Sequence, residues 1–175
     1  MDYFSEKTAE RIVEEKGKAK VIIATNVFTH VDNLDDLLNG VSILLEDDGI
    51  FVIEVYYLGS IVRNISFDII YHEHLSYFTV HSLSKLFERF GMKIFDVETI
   101  SIHGGSLRVF VCKSKYEKSD SVDEILSVER EMGLDNIETY ASFAKMIGEI
   151  KNKLIGLLKN FKAEGKRIVG YGAPA

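Results

Sequence analysis

Hydrophobic positions along the chain occur with two different periods, and their order predicts an α/β fold. Val21–Thr25 and Ile50–Val55 are short, continuous apolar runs, which are typical of strands buried on both faces of a parallel sheet. Between them, apolar residues recur at helical spacing from Leu34 to Leu45, and Asp47–Gly49 is predicted to turn the chain into the second strand. This strand–helix–strand order predicts a parallel crossover.

Further helices are predicted on both sides of this unit. Ser5 is a favourable cap for a short helix that ends at Gly17. Thr79–Phe90 carries leucine and phenylalanine at helical spacing, which predicts an amphipathic helix. From Ser121 onward two more helical patterns follow, and the second runs from residue 137 to residue 161 over about seven turns.

The runs Lys93–Ile100 and Leu107–Lys113 are joined by a few residues only, too few for a parallel crossover, so they are predicted to pair antiparallel. The predicted fold class is therefore α/β, with a mixed sheet that ends in an antiparallel hairpin and is followed by a helical segment. Arg167–Gly172 predicts the start of another strand. We expect a first domain at residues 1–115, a helical linker and the start of a second α/β domain at residues 116–175, and a chain that is part of something longer.

Composition and charge exclude several classes of function. The chain has 21 basic and 27 acidic residues, a net charge of −6 and no basic run, which argues against nucleic acid or an anionic membrane as the main partner. No apolar stretch is long enough to span a bilayer and no signal pattern opens the chain, so cytoplasmic localisation is predicted. The single cysteine, Cys112, excludes an internal disulfide and a cysteine-built zinc site, and its apolar neighbours predict a buried side chain.

Candidate chemistry lies in two short polar islands. Three of the five histidines fall within Tyr71–His74 and His103–Ser106, each flanked by apolar segments, where a hydrophobic core would not place them. If the first island is extended, His72 and His74 point to one side of the backbone, and Tyr71 and Glu73 point to the other.

Three interpretations of these histidines are open. His30 follows the first strand, and the carboxyl ends of parallel strands are where open α/β sheets bind ligands. With His72 and His74 it would complete a three-nitrogen metal site. Histidine beside a tyrosine and a carboxylate is also suited to general acid and base catalysis, which the sequence favours. The remaining alternative is a set of loop residues held in place by hydrogen bonds.

The turn His103–Ser106 predicts a different kind of site. Gly104 and Gly105 allow positive φ and close approach of the backbone, so the amides, the Ser106 hydroxyl and the Arg108 guanidinium could receive a polar or phosphorylated ligand. The alternative is a tight hairpin without a ligand, because the turn lies between two antiparallel strands and no helix begins after it.

Five segments of the chain together resemble a known family, the S-adenosylmethionine-dependent sugar C-methyltransferases. Those enzymes methylate a carbon of a nucleotide-linked 4-keto deoxysugar. The resemblance runs from about Phe4 to the last residue, and the segments occur in the family's order. They are Asn26–His30, Asp48–Val55, Phe67–Phe78, His103–Arg108 and Gly170–Ala175.

The resemblance implies a partial class I methyltransferase fold, which is Rossmann-like, with S-adenosylmethionine as the methyl donor, an enolate as the intermediate and no metal. It implies His74 as the base, with Tyr71 and Glu73 beside it. His30 would steady the oxyanion on the keto oxygen. The His74 ring is then expected to face a hollow large enough for a keto hexose. The residues implied for the sugar-nucleotide pocket are His103, Gly104, Gly105, Ser106, Arg108, Tyr171 and Gly172.

The resemblance is incomplete on the side of the cofactor. Only 20 residues precede Val21, and they contain no glycine-rich loop of the kind that holds S-adenosylmethionine. The resemblance in the segment after the first strand implies Asn26, Val27 and Phe28 as cofactor-binding residues. We expect the isolated chain to bind the methyl donor weakly or not at all. The alternative function is a non-catalytic sugar-nucleotide-binding module or a subunit of a split enzyme. Without an inner neighbour, the strand Val21–Thr25 would be an apolar edge, which predicts self-association or pairing with a complementary chain.

Overall fold

A computed structural model describes residues 3–172, and of His103 only the backbone. By compactness the chain divides into a first unit that ends at Asn136 and a second that begins at Ile137. The first unit contains a sheet with helices packed against it. The second consists of one long helix and a segment without regular structure. The division at residue 115 that the sequence predicts stays a prediction.

The elements of the described residues are given in chain order. They are α1 (Glu6–Lys16), β1 (Ala19–Thr25), α2 (Leu34–Leu44), β2 (Leu45–Tyr56), α3 (Leu58–Asn64), α4 (Val80–Glu88), β3 (Lys93–Ile100), β4 (Ser106–Cys112), α5 (Asp120–Glu131) and α6 (Ile137–Ala163). Short 3-10 helices lie at Phe28–His30, Phe67–Ile69 and Ile102–Gly104. None of the helices in this part of the chain combines the length and apolar content needed to cross a bilayer.

The four strands form one mixed sheet in the order β1-β2-β4-β3. β1 and β2 run parallel, with Ile23 opposite Val52, while β4 runs antiparallel to both β2 and β3. The prediction of a mixed α/β sheet that ends in an antiparallel hairpin is therefore confirmed. β1 lies at one edge of the sheet, in the position expected for the strand Val21–Thr25.

One face of the sheet carries the hydrophobic core. Phe51 and Ile53 of β2 are fully buried, and α2 and α4 supply further core side chains. The rings of Phe28, Phe51 and Phe87 meet at centroid distances of 5.9, 6.1 and 6.2 Å. Alternate residues of β2 are buried, which is the period of a strand covered mainly on one face. Cys112 is buried, which confirms the prediction.

The prediction that β1 is buried on both faces is wrong. Val21 is 52% exposed and Ile23 is 66% exposed, whereas Ile22 and Ala24 pack against the core. Little therefore packs against the second face of β1, and β1 also has a neighbouring strand on one side only. The continuous apolar run therefore belongs to an edge strand with one covered face.

The predicted turn at Asp47–Gly49 is also wrong, because these residues belong to β2, which begins directly after α2. The pairing register with β1 shifts at this point, so the polar residues form an irregularity within the strand. Lysines that are distant in sequence compensate the negative charge. Asp48 is paired with Lys20 and Lys115, and these two ammonium groups lower its pKa to about 2.

Predicted helix boundaries agree with the structure where a capping residue marks them. Ser5 caps α1 by accepting a hydrogen bond from the Thr8 amide at 3.2 Å. Thr79 and Ser82 form a reciprocal capping box at the start of α4. The long helix predicted from residue 137 is present as α6.

Two elements differ from the prediction. The sequence does not predict α3, which has no side-chain cap at its N-terminus and ends at Ile65 in a left-handed conformation, φ 53°. Its side chains Ile61 and Val62 are buried, so tertiary packing stabilises this short helix. Arg167–Gly172 is not a strand, because no strand among the described residues pairs with it and its apolar side chains are exposed.

Candidate functional site

Several of the predicted site residues, His30 and His74 among them, lie at the end of the sheet where β1 and β2 terminate. After β1, Asn26 adopts a left-handed conformation, φ 54°, and its amide donates to the Glu54 carbonyl of β2 at 3.0 Å. Asparagine tolerates this conformation better than most residues. The turn leads into the 3-10 helix that ends at His30, so the local sequence places this histidine beside the carboxyl ends of the two parallel strands.

The segment that carries the second histidine is a turn and not an extended strand. The His74 amide donates to the Tyr71 carbonyl at 3.0 Å, and the Leu75 amide donates to the Thr29 carbonyl at 2.8 Å. The prediction that His72 and His74 share one side is therefore wrong, since His72 is exposed and His74 is buried. Side chains alternate only along extended backbone, and the turn breaks that alternation.

Four aromatic rings surround His74. Their centroids lie 4.2 Å away for Tyr71, 4.7 Å for Tyr56, 5.0 Å for His30 and 6.2 Å for Tyr77. We call these five residues, His30, Tyr56, Tyr71, His74 and Tyr77, the histidine–tyrosine cluster. The cluster unites three residues that the sequence singles out with two that it does not. The signals for these two are weak: Tyr56 ends an apolar strand, and Tyr77 lies close to His74 in the chain.

The His74 side chain is buried, whereas the sequence analysis expects its ring to face a hollow. The residue is 6% exposed, and Tyr71 stacks against its ring at an interplanar angle of 38°. Tyr71 is itself 43% exposed, so it is the solvent-facing member of this stack. The expected space for a keto hexose beside His74 therefore requires Tyr71 to move.

Backbone carbonyls determine which nitrogen of each histidine carries a proton. His74 Nδ1 lies 2.7 Å from the Ile69 carbonyl oxygen, and His30 Nδ1 lies 2.9 Å from the Glu73 carbonyl oxygen. Because a carbonyl oxygen only accepts, each Nδ1 is the donor. In the neutral ring Nε2 then holds the lone pair that can take up a proton. Glu73 contributes its main chain to this arrangement, while its side chain is exposed.

The connection between β3 and β4 lies beside the cluster because Ser106 pairs with Tyr56 in the sheet. Gly104 and Gly105 have φ of 79° and 122°, the positive values that the sequence predicts. A Cβ at Gly105 would lie 2.5 Å from Ser60 Oγ of α3, so packing against α3 requires glycine at this position. This contact favours the tight-hairpin explanation for the glycine.

Two of the substrate-binding candidates are engaged within the protein. The Ser106 hydroxyl, in a residue that is 2% exposed, donates to the Ile102 carbonyl at 3.0 Å. Arg108 donates to Glu54 at 2.8 Å and to Glu98 at 3.0 Å, and the Glu54 carboxylate is the main cause of its raised pKa. In this arrangement the Ser106 hydroxyl proton is already donated, and two carboxylates neutralise the charge of Arg108.

Two further substrate-binding candidates belong to the second unit. Tyr171 and Gly172 are exposed in the second unit. The remainder of their motif, residues 173–175, lies outside the described residues, and so does the side chain of His103.

The three cofactor-binding candidates follow β1 and differ in exposure. Asn26 is exposed and Val27 is 43% exposed. Phe28 is fully buried among the phenylalanines of the core, so its side chain offers no surface to a ligand.

A three-histidine metal site is not formed by the described residues. The turn leaves His72 exposed, whereas His74 is buried beside His30. Across residues 3–172, with the His103 side chain left aside, there is no group of three or more His, Cys, Asp or Glu side chains placed to hold a metal ion.

A buried carboxylate that the sequence analysis does not single out lies on α5. Glu129 is 4% exposed and accepts hydrogen bonds from the Val80 and His81 amides at the start of α4, at 2.6 and 2.9 Å. Burial raises its pKa, although the two amides act in the opposite direction. The signal in the sequence is its position on the apolar face of α5, at helical spacing after Ile125 and Leu126.

Two family models match the chain. A methyltransferase domain matches residues 2–97, and a C-methyltransferase C-terminal domain matches residues 101–175. Among known proteins, C-methyltransferase NovU of Streptomyces niveus is 38% identical over 173 residues, which are 98% of this chain and 41% of that protein. The chain therefore spans less than half the length of this relative.

Solved methyltransferase structures overlap with part of the chain. A SAM-dependent methyltransferase from Anabaena variabilis has a TM-score of 0.48 and 19% identity, covering 64% of this chain and 56% of that one. Magnesium protoporphyrin IX methyltransferase from Synechocystis, with bound SAH, has a TM-score of 0.40 and 14% identity, covering 55% and 46%.

Proposed function

Because the chain belongs to the methyltransferase-domain family, we propose that it takes part in methylating a carbon of a nucleotide-linked 4-keto deoxysugar, with S-adenosylmethionine as the methyl donor. Similarity to the C-methyltransferase NovU and to the C-methyltransferase C-terminal domain supports carbon as the methylated atom. The observation that carries the proposal is the pair of His74 and His30, 5.0 Å apart, each with Nδ1 bound to a backbone carbonyl.

His74 is the base in this proposal. A hydrogen on the carbon beside a ketone is acidic, because the electron pair of its C–H bond can pass toward the keto oxygen. His74 Nε2 takes up this proton, and the electron pair left behind forms an enolate. S-adenosylmethionine, when bound, supplies the electrophilic methyl group that the enolate carbon receives.

His30 stabilises the enolate oxygen only when its ring carries both protons. Its Nδ1 proton is already donated to the Glu73 carbonyl, so a hydrogen bond to the substrate oxygen has to come from Nε2. The His30 ring is exposed to solvent. The step therefore requires a neutral His74 and a protonated His30 at the same time.

The tyrosines of the cluster have two roles in this proposal. Tyr71 moves aside to admit the sugar, because it is the exposed residue that stacks on His74. Tyr56 stays, with its ring 4.7 Å from His74, and its π face stabilises the imidazolium that proton removal creates. Such a cation–π contact is worth about 0.5–2 kcal/mol, depending on how far the charge is desolvated.

We expect the isolated chain to bind S-adenosylmethionine weakly or not at all. Asn26 and Val27 are exposed after β1, but Phe28 is buried in the core, and the residues before β1 form α1 with no glycine-rich loop. The step assigned to this chain is therefore removal of the proton, which can be measured without the methyl donor.

The test is exchange of the sugar's hydrogens in deuterium oxide. A thymidine-linked 4-keto deoxysugar is incubated with the full chain, and entry of deuterium beside the ketone is followed by proton NMR. We expect exchange above the buffer rate and a loss of roughly 10²–10⁴-fold in His74→Gln. His72→Gln is the matched control, because His72 is exposed on the same turn and should leave the rate unchanged.

Two results would change the conclusion. Equal exchange rates for His74→Gln and the unmodified chain would contradict the role of His74 as the base. Saturable binding of the sugar nucleotide without exchange would instead favour the alternative function, a non-catalytic binding module or a subunit of a split enzyme.

A further inference from the structure

One backbone carbonyl beside the cluster receives hydrogen bonds from two side chains. The Ile69 oxygen lies 2.7 Å from His74 Nδ1 and 3.2 Å from the Tyr77 hydroxyl. A carbonyl oxygen has two lone pairs, so it can accept both hydrogen bonds at once. His74 and Tyr77 are therefore coupled through this oxygen.

The segment that carries this carbonyl buries few side chains of its own. The 3-10 helix Phe67–Ile69 has no buried residue, and the neighbouring Ile70 is 49% exposed. The segment follows Ile65, a β-branched residue in the left-handed conformation, which costs about 1–2 kcal/mol. A segment with few buried contacts opens easily, so its position depends on the hydrogen bonds it makes.

We propose that Tyr77 is a positioning residue whose hydroxyl holds the Ile69 carbonyl against His74 Nδ1 and so keeps His74 in the tautomer with an unprotonated Nε2. The benefit to proton removal rests on the proposed function. The tautomer itself is a property of the free chain and does not depend on that function.

The ring and the hydroxyl of Tyr77 make separate contributions. The ring lies edge-on to His74, at 6.2 Å and an interplanar angle of 79°, and phenylalanine would keep this contact. The hydroxyl alone reaches Ile69. Burial raises the pKa of Tyr77, so the hydroxyl keeps its proton and remains a donor at neutral pH.

Nitrogen NMR of the full chain, labelled with ¹⁵N at histidine, reports which nitrogen of His74 is protonated, without substrate or methyl donor. In the unmodified chain we expect Nδ1 to be protonated and Nε2 to be unprotonated when the ring is neutral. In Tyr77→Phe we expect a second population with the proton on Nε2. Tyr116→Phe is the control, because its ring stacks on Phe95 at 4.7 Å, outside the cluster, and it should leave the His74 spectrum unchanged.

A Tyr77→Phe spectrum that keeps one Nδ1-protonated form would overturn the proposal, and so would an unmodified chain with the proton on Nε2. If Tyr77→Phe does not fold, a measurement on the unmodified chain tests the proposal. A nuclear Overhauser effect between the Tyr77 hydroxyl proton and His74 Hδ1 supports the proposal, and its absence counts against it. If His74 has the expected tautomer but the chain does not catalyse deuterium exchange, the proposed function is contradicted and the role of Tyr77 is not.

Discussion

Replacing Glu129 by glutamine tests whether a buried carboxylate fixes the start of α4. Glu129 Oε1 accepts from the Val80 amide at 2.6 Å and Oε2 accepts from the His81 amide at 2.9 Å. These amides lie in the first turn of α4, where backbone donors have no partner within the helix. The negative charge also complements the positive end of the helix dipole. Glu129 therefore links α5 to α4 through two hydrogen bonds to a charged group.

The expected loss of stability in Glu129→Gln depends on which of the two hydrogen bonds glutamine can still accept. In Glu129→Gln one oxygen remains as an acceptor, but an NH₂ group faces the second amide, so one buried donor loses its partner. This loss costs about 1–3 kcal/mol. Removal of a buried charge offsets part of the cost. We expect a net loss of about 1–2 kcal/mol at neutral pH, which corresponds to a fall of roughly 2–8 °C in Tm for a chain of this size.

The pH dependence of this difference has a definite sign. Burial raises the pKa of Glu129 above its ordinary value of 4.5, so the folded chain binds this proton more tightly than the unfolded chain does. The carboxyl group therefore stabilises the fold most below pH 4.5, and its contribution falls as the pH rises to the raised pKa of the folded state. Glutamine does not titrate, so the difference in unfolding free energy between the unmodified chain and Glu129→Gln should narrow as the pH rises from 4.5 to the raised pKa of Glu129. Above that pKa the difference should stay constant.

Urea unfolding followed by far-ultraviolet circular dichroism, repeated across this pH window and at neutral pH, measures both effects. Glu131→Gln is the matched control, because Glu131 is exposed at the end of the same helix and its replacement should change stability by less than about 0.5 kcal/mol. Equal stability of Glu129→Gln and the unmodified chain at neutral pH would refute the capping argument. A gap that widens as the pH rises would refute the assigned direction of the pKa.

Three further predictions concern the hairpin, the sheet edge and His30. Gly105→Ala should cost about 1–3 kcal/mol in urea unfolding, because φ is 122° and the new Cβ would meet Ser60, and near-wild-type stability would contradict this. If the chain self-associates through β1, sedimentation at tens of micromolar should show a dimer, and Ile23→Lys should disrupt it. A monomeric unmodified chain would count against self-association through this edge. His30→Ala should lower the rate of deuterium exchange by roughly 10²–10³-fold, because it removes the ring that would donate a hydrogen bond to the keto oxygen, and an unchanged rate would exclude His30 as that donor.

The parts of the fold that the sequence predicts are those with local signals. Ser5 and Thr79 mark helix starts because their side chains satisfy amides within the same turn. The antiparallel pairing of β3 and β4 follows from a connection too short for any other arrangement. In each case the stabilising contact lies within a few residues of the pattern that reports it, so the pattern is sufficient.

The parts that the sequence does not predict depend on distant residues. Asp47–Gly49 has the composition of a turn, but Lys20 and Lys115 pair with Asp48 and help to keep the segment within β2. α3 has no cap of its own, and its buried residues pack against the rest of the first unit. An apolar run such as β1 also does not reveal how many neighbours its strand has.

The candidate site also has features that the sequence predicts and features that it does not. The proximity of His30 and His74 could be predicted, because His30 follows β1 and His74 lies in the connection after β2 and α3. The sequence does not report which nitrogen of each ring is protonated, because the groups that decide this are the carbonyls of Ile69 and Glu73. Any residue type supplies a carbonyl, so the identity of the side chain carries no signal. For Glu73 the sequence therefore points to the carboxylate, whereas the contact to His30 is made by the main chain.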